Sequence, residues 1–263
     1  MLQLGHFPTP WKHAKVIPVP KPNKPLTEPT SYRPISLLSV LGKLFERIIA
    51  ARLHTEIRIK HLLPPHQFGF RKRHSTVAQL AHITDHITHG FNLHKHSGMI
   101  LLDLEKAYDT VWQHGLLYKL TKLNLPAYLI FLMNSFLTDR SFSVHLPHTC
   151  SSRKFPPAGL PQGAVLSTIL FSLYIADIPT PPHLLLAQYA DDTALIAQSW
   201  RTDTIINRLT QASRTLLRYF LKWKLQVNPH KTEVILFTRR RPPLHLHSSS
   251  PKPISHGPPT SDT

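Results

Sequence analysis

Apolar residues recur along this chain with two periods, and each predicts its own elements. From Ser39 to Ile59, Leu41, Leu44, Phe45, Ile48, Ile49 and Leu53 return at helical spacing. Lys43, Glu46, Arg47 and Arg52 fall between them, which predicts an amphipathic helix. Thr76 to Asn92 predicts a second helix, with Val77, Leu80, Ala81, Ile83, Ile87 and Phe91 on its inner side. Further helices are expected near 114–123, over 127–137, over Val165 to Ile175 as a buried helix, and from about 202 to 222. Met99 to Leu104 is a short continuous apolar run, the pattern of a buried strand, and Ser141 to Leu146 alternates like a strand. Leu184 to Ala187 and Ala194 to Ala197 bracket a short polar gap and read as a hairpin over 184–197. Leu225 to Asn228 and Val234 to Phe237 are the last strand candidates. Together these elements match a split α+β sheet.

The ends read differently. Residues 1–30 are rich in Pro and Lys, and Pro18, Pro20, Pro22 and Pro25 forbid helix there. They predict an edge strand running into a loop. Beyond Phe237 the chain turns to Arg, Pro, His and Ser without apolar periodicity, so 239–263 is expected to be disordered.

Charge adds a partner to this picture. The 263 residues carry 31 Lys+Arg against 14 Asp+Glu, a formal +17, which argues for a polyanion and for nucleic acid first. The basic residues are spread along the chain, in Arg71-Lys72-Arg73, Arg239-Arg240-Arg241 and many singles, so a basic tail does not account for them. The single cysteine, Cys150, excludes an internal disulfide and fits a reducing compartment, nucleus or cytoplasm. No apolar run approaches a membrane span, no signal-peptide pattern opens the chain, and no membrane partner is expected.

The candidate chemistry lies in acids. Tyr189-Ala190-Asp191-Asp192 puts two adjacent carboxylates at the tip of the expected hairpin. Such a pair repels itself, and a fold presents it mainly around a cation; oxygen-only ligation suits Mg²⁺. A turn that uses Asp for its own hydrogen bonding is the alternative, and the pattern alone serves either. Asp103, near the end of the 99–104 run, needs a cation, an Arg or water, unless it simply leaves the sheet at its exposed end. If that strand lies beside the hairpin, three carboxylates could hold two Mg²⁺ ions roughly 3.5–4 Å apart, the arrangement used for in-line phosphoryl displacement.

Tyr189 to Asp192, following the upstream Leu101 to Trp112, resembles the reverse transcriptases, and among them the non-LTR (LINE-type, jockey-like) retrotransposon enzymes. The resemblance runs over roughly residues 11 to 238 and rests on six blocks in the family's order. They are Trp11 to Pro22, Ser31 to Leu38, Gln67 to Thr76, Leu101 to Trp112, Gly159 to Ser167 and Tyr189 to Leu195. It implies an α+β right-hand polymerase of fingers and palm, the palm a split βαβ-type sheet. Residues 1–98 would be mainly fingers and 99–238 mainly palm, with a return to the fingers near 130–160. The thumb and the endonuclease of such proteins are not found in this chain.

The resemblance implies RNA-directed DNA synthesis on an RNA template and DNA primer, using dNTPs and two Mg²⁺ ions, or Mn²⁺. Asp103, Asp191 and Asp192 would be the metal ligands. Lys231 would donate a proton to pyrophosphate, against the alternative of an exposed loop lysine. Tyr108 would block a 2′-hydroxyl, or else be a core aromatic. Lys21 and Arg33 would grip the triphosphate, or else be solvated charges. Gln162 and Gly163 would meet template or nucleotide, or else form a turn into a helix. Arg71 and Arg73 fit template-backbone contact, with a generic basic patch as the competitor. Asp109 reads as a helix N-cap rather than a ligand. A truncated, catalytically silent transposon relic and a domesticated nucleic-acid-binding module are the competing readings of the whole.

Overall fold

The computed structural model describes residue 2, residues 5–71 and residues 74–239. Among them the chain runs β1 (His13–Pro20), β2 (Tyr32–Leu37), α1 (Val40–Ile59), α2 (Thr76–Asn92) and β3 (His96–Leu102). It continues with α3 (Gln113–Lys122), α4 (Ala127–Leu137), β4 (Ser141–Leu146), β5 (Thr149–Cys150) and α5 (Val165–Tyr174). Then come β6 (Leu184–Tyr189), β7 (Asp192–Ser199), α6 (Thr202–Lys222) and β8 (Glu233–Phe237). The strands form two sheets, in the orders β2-β1-β4-β5 and β6-β7-β3-β8.

The continuous apolar run of β3 reflects its position inside the second sheet. It is antiparallel to β7 on one side and to β8 on the other. Alternate residues serve two cores, as expected for a strand covered on both faces. Leu102 and the partly buried Ile100 join the main core with Ile205 and Leu209 of α6. Met99 and Leu101 join a smaller cluster with Ala187, Ala194, Ile196 and Ile83 of α2. Gly98 is where α6 comes closest, since a Cβ there would lie 2.4 Å from Ile205. Helix α6 buries Ile205, Leu209, Ala212, Leu216, Tyr219 and Phe220 along one stripe. Helix α5 is apolar nearly all round and buried nearly all round, packed between α1 and α3.

A buried lysine joins three helices. Lys119 of α3 donates to the Tyr174 carbonyl at 2.6 Å, to the Tyr219 hydroxyl at 2.8 Å and to the Asp177 carboxylate. Its ammonium also lies 3.8 Å from the centre of the Trp223 ring.

Four expectations need correction. The proline-bearing strand is not an edge: β1 lies between β2 and β4. The pairing explains how Pro is tolerated, because β4 reaches only His13 to Val16, while Pro18 and Pro20 pair with β2 alone. On α2, Val77 and Leu80 are 74% and 62% exposed and Ala81 is exposed too. The buried positions are Gln79 and Gly90, because that helix touches the sheet along a narrow line. On α1, Leu41, Leu44 and Ile48 are exposed, and the buried face runs through Phe45, Glu46, Ile49, Ala50, Leu53 and Ile57. Leu225 to Asn228 contributes one isolated bridge, Val227 to Leu104, rather than a strand. The expected disorder from 239 onward lies outside the described residues from 240; Arg239 itself sits 5.1 Å from the centre of the Phe91 ring. Among the described residues no helix is long and apolar enough to cross a membrane.

Candidate active site

β3 ends at Leu102, and Asp103 is the next residue. The Asp103 carbonyl accepts from the Asn228 N–H at 2.8 Å, and Leu104 bridges Val227, so the strand's exit is held from the β8 side. On its other side Leu102 pairs with Thr193, one residue past Asp192. Tyr189 pairs with Asp192 and closes the β6–β7 turn over Ala190 and Asp191. The register therefore brings Asp103, Asp191 and Asp192 to one end of the second sheet. The hairpin expected over 184–197 is present and carries both turn acids at its tip.

The turn is held from behind. Ala190 has φ of +58°, a conformation that costs a non-glycine residue energy. The fully buried Gln67 side chain accepts from Ala190 N–H at 3.1 Å and donates to its carbonyl at 3.4 Å. Phe68 N–H donates to the Gln188 carbonyl and Gln188 N–H to the His66 carbonyl. Gly69 lies so close that a Cβ would stand 2.1 Å from the Ala190 nitrogen. The 66–69 segment is thus fastened directly to the acid-bearing turn.

Electrostatics couple the acids. Burial raises the Asp191 carboxyl above the ordinary carboxylate range; repulsion from Asp192 and Asp103 adds to the rise, opposed by a backbone N–H and by Lys231. Burial also raises Asp192, with repulsion from Asp103. The Lys231 ammonium lies 3.2 Å from the Asp103 carboxylate, on a turn over Pro229–Lys231 started by the Asn228 side chain. Among the described residues no three His, Cys, Asp or Glu side chains form a preformed metal cage. The acids are neighbours with excess negative charge, and their all-oxygen donor set fits Mg²⁺ or Mn²⁺.

Tyr108 stacks on Phe171 with ring centres 4.8 Å apart, and its buried hydroxyl has no hydrogen-bond partner. Burial raises its pKa, and the Asp191 charge raises it further, which sets the ring within the field of the turn acids. Gln162 donates to both Asp109 oxygens, at 2.9 and 3.1 Å. Asp109 does not cap a helix: α3 begins after Trp112, and the carboxylate holds Gln162 instead. Gly159 and Gly163, with φ of +95° and +81°, bring this loop against Asp109 and the Ser36 carbonyl, where a Cβ would stand 2.6 and 3.1 Å away.

Lys21 and Arg33 lie on the other sheet, at the end of the β1–β2 hairpin, where Arg33 pairs with Val19. Lys21 N–H donates to the Ser31 carbonyl. Arg71 donates to the Pro64 carbonyl at 3.1 Å. Arg73 lies outside the described residues.

Two residues had no assigned role in the sequence. Gln67 was visible only as part of a matched block. Glu46, 1% exposed, accepts from the N–H groups of Val165 and Leu166 at 2.6 and 3.2 Å and so caps α5. Burial raises its pKa, opposed by those two N–H groups and by the Arg140 and Lys43 charges. Its signal is a carboxylate at a core position, three, four and seven residues ahead of Ile49, Ala50 and Leu53.

Residues 19–255 match the family described as reverse transcriptase (RNA-dependent DNA polymerase). A probable RNA-directed DNA polymerase from transposon BS of Drosophila melanogaster is 41% identical over 246 residues, 90% of this chain and 27% of that protein. The RNA-directed DNA polymerase from the mobile element jockey of the same fly is 35% identical over 91% of this chain and 27% of its own length. The chain spans about a quarter of the length of these relatives. Telomerase from Candida albicans, in complex with a TWJ fragment of telomeric RNA, superposes with a TM-score of 0.63 at 15% identity. That superposition covers 85% of this chain and 43% of the telomerase chain. The fold is therefore a mixed α+β fold of the reverse transcriptase and telomerase kind.

Proposed function

The chain belongs to the reverse transcriptase (RNA-dependent DNA polymerase) family, and from that membership we propose that it extends a DNA primer with dNTPs on an RNA template. It would do so as the catalytic portion of a non-LTR retrotransposon polymerase. The observation that carries this reading is the convergence of Asp103 with Asp191 and Asp192 at one end of the second sheet.

In this reading the β2-β1-β4-β5 sheet with α1 is the fingers and the β6-β7-β3-β8 sheet is the palm. Divalent cations held by Asp103, Asp191 and Asp192 would supply Lewis-acid activation of the primer hydroxyl and neutralise the triphosphate. Lys231, ion-paired with Asp103, would pass a proton to the leaving pyrophosphate. Tyr108, stacked on Phe171, would lie beneath the incoming sugar and exclude a 2′-hydroxyl. Asp109 fixes the Gln162 amide, and Gly163 lets the nucleotide approach the backbone closely. Arg33 and Lys21 close on the triphosphate from the β1–β2 hairpin, and Arg71 and Arg73 meet template phosphate.

The test is incorporation of dTTP on poly(rA)/oligo(dT) with Mg²⁺, comparing wild type with Asp191→Asn. Extension that needs Mg²⁺ and disappears in the variant is the expected result. A folded wild-type chain that binds the hybrid and never extends it would overturn the reading in favour of a silent relic or a binding module.

A further inference from the structure

The solvent side of α2 carries three histidines, in the run His82-Ile-Thr-Asp85-His86-Ile-Thr88-His89. At about 3.6 residues per turn, His82, His86 and His89 fall within an arc of about 60° on one face of the helix. With Asp85, Thr88 and Asn92 they line an open recess of about 510 Å³ whose walls are polar residues alone. His82 and His89 are exposed and His86 is half-buried. His82 and His86 stand four residues apart, a spacing at which helical side chains meet. The His82 ring stacks on Phe68, with centres 6.3 Å apart. Burial lowers the His86 pKa, and the charges of His82 and then His89 lower it further, so both rings lie within reach of its field. The shift favours the neutral imidazole, the form that ligates a metal. The backbone beneath is fixed to β7. The His86 carbonyl accepts from the Gln198 side chain at 2.6 Å, and a Cβ on Gly90 would stand 2.5 Å from the same amide nitrogen.

We propose that this face of α2 is a site for a transition-metal ion, Zn²⁺ first, chelated by His82 and His86 with water completing its shell. Two histidines four residues apart on one helix face form a zinc-binding spacing. Imidazole donors favour Zn²⁺, Cu²⁺ or Ni²⁺ over Mg²⁺, so the ion differs in kind from one held by carboxylates. Among the described residues no three His, Cys, Asp or Glu side chains converge, which suits an ion held by two rings rather than a closed cage. The site also differs in place. Gln198 stands six residues along β7 from Asp192, about 20 Å at the rise of a strand. The inference therefore does not rest on the polymerase reading. Its consequence is mechanical: an ion spanning one helical turn binds only the folded helix, and so clasps an element that touches the sheet along a narrow line.

Calorimetric titration of the whole chain with Zn²⁺, in excess Mg²⁺, tests it. Wild type is expected to bind one equivalent that His86→Gln lacks. His82→Gln, at an exposed position, should weaken that equivalent by about tenfold or more, at least the cost of losing a contact that merely supports a ligand. Asp191→Asn should keep it. Amide exchange locates the ion: Zn²⁺ should slow exchange over Thr76–Asn92 in wild type and leave it unchanged in His86→Gln. A folded His86→Gln chain that binds Zn²⁺ like wild type would overturn the site. Loss in Asp191→Asn alone would place the ion at the turn acids and overturn it equally. Weakening by His89→Gln in place of His82→Gln would overturn the chosen pair. None of these outcomes bears on whether the chain extends a primer.

Discussion

Tyr108 is the residue through which the proposed function would select its substrate. Its ring is pinned by Phe171, and its hydroxyl is buried without a partner while within the field of Asp191. An orphaned buried hydroxyl costs roughly 1–3 kcal/mol, so the fold keeps it at some expense. A smaller side chain would open space where a ribose 2′-hydroxyl would otherwise collide. Tyr108→Val is therefore expected to raise UTP incorporation relative to dTTP on the same hybrid by on the order of 10- to 100-fold. An unchanged ratio in a folded, active variant would return Tyr108 to the status of a core aromatic. At the same scale, Ala190 shows what sequence withholds. The turn acids can be read from the sequence as Asp191-Asp192. That their turn needs a positive φ, and that Gln67 from a remote segment holds it, cannot.

Elements were legible where periodicity alone decides them. The helix expected from Ser39 is present as Val40–Ile59, and the one expected over 202–222 is Thr202–Lys222. Faces were less legible, because α1 is apolar on more than one side and tertiary packing decides which side is covered. Leu41 and Leu44 match Phe45 and Ile49 in character, yet only the latter two are buried. The capping of α5 by Glu46 joins residues more than a hundred positions apart, so no local pattern announces it. Glu46→Ala would orphan two backbone N–H groups and leave the nearby Arg140 charge less balanced, costing about 3 kcal/mol in urea unfolding. Glu46→Gln keeps an acceptor and is expected to recover much of that stability. Because α5 starts just after Gln162 and Gly163, the alanine variant should also raise the KM for dTTP more than it lowers kcat. Equal behaviour of the two variants would remove Glu46 from any positioning role.

At the scale of the whole molecule, Lys119 couples α3, the end of α5 and α6 through a charge kept out of water. Burial lowers its pKa from 10.5 to about 8, with Lys222 adding to the fall and Asp177 opposing it. Between those values the unfolded chain binds more protons than the folded one, so stability should rise with pH from about 8 toward 10.5. Tyr174 and Tyr219, both raised by burial, begin to oppose that rise only above the ordinary tyrosine value of 10.0. Lys119→Met should flatten the rise; a variant whose pH profile runs parallel to wild type would contradict the assignment. Assembly of the site also belongs to this scale, since one acid leaves β3 and two sit on the β6–β7 turn, with Lys231 reaching Asp103. The proposed function rests on those acids acting as one cation centre. The direct measurement is Mn²⁺ binding followed by electron paramagnetic resonance in wild type, Asp103→Asn and Asp191→Asn. Saturable binding weakened by about tenfold or more in each variant, the equivalent of about 1.4 kcal/mol, is the predicted result. Binding that either variant leaves untouched would mean that the carboxylates do not share a metal.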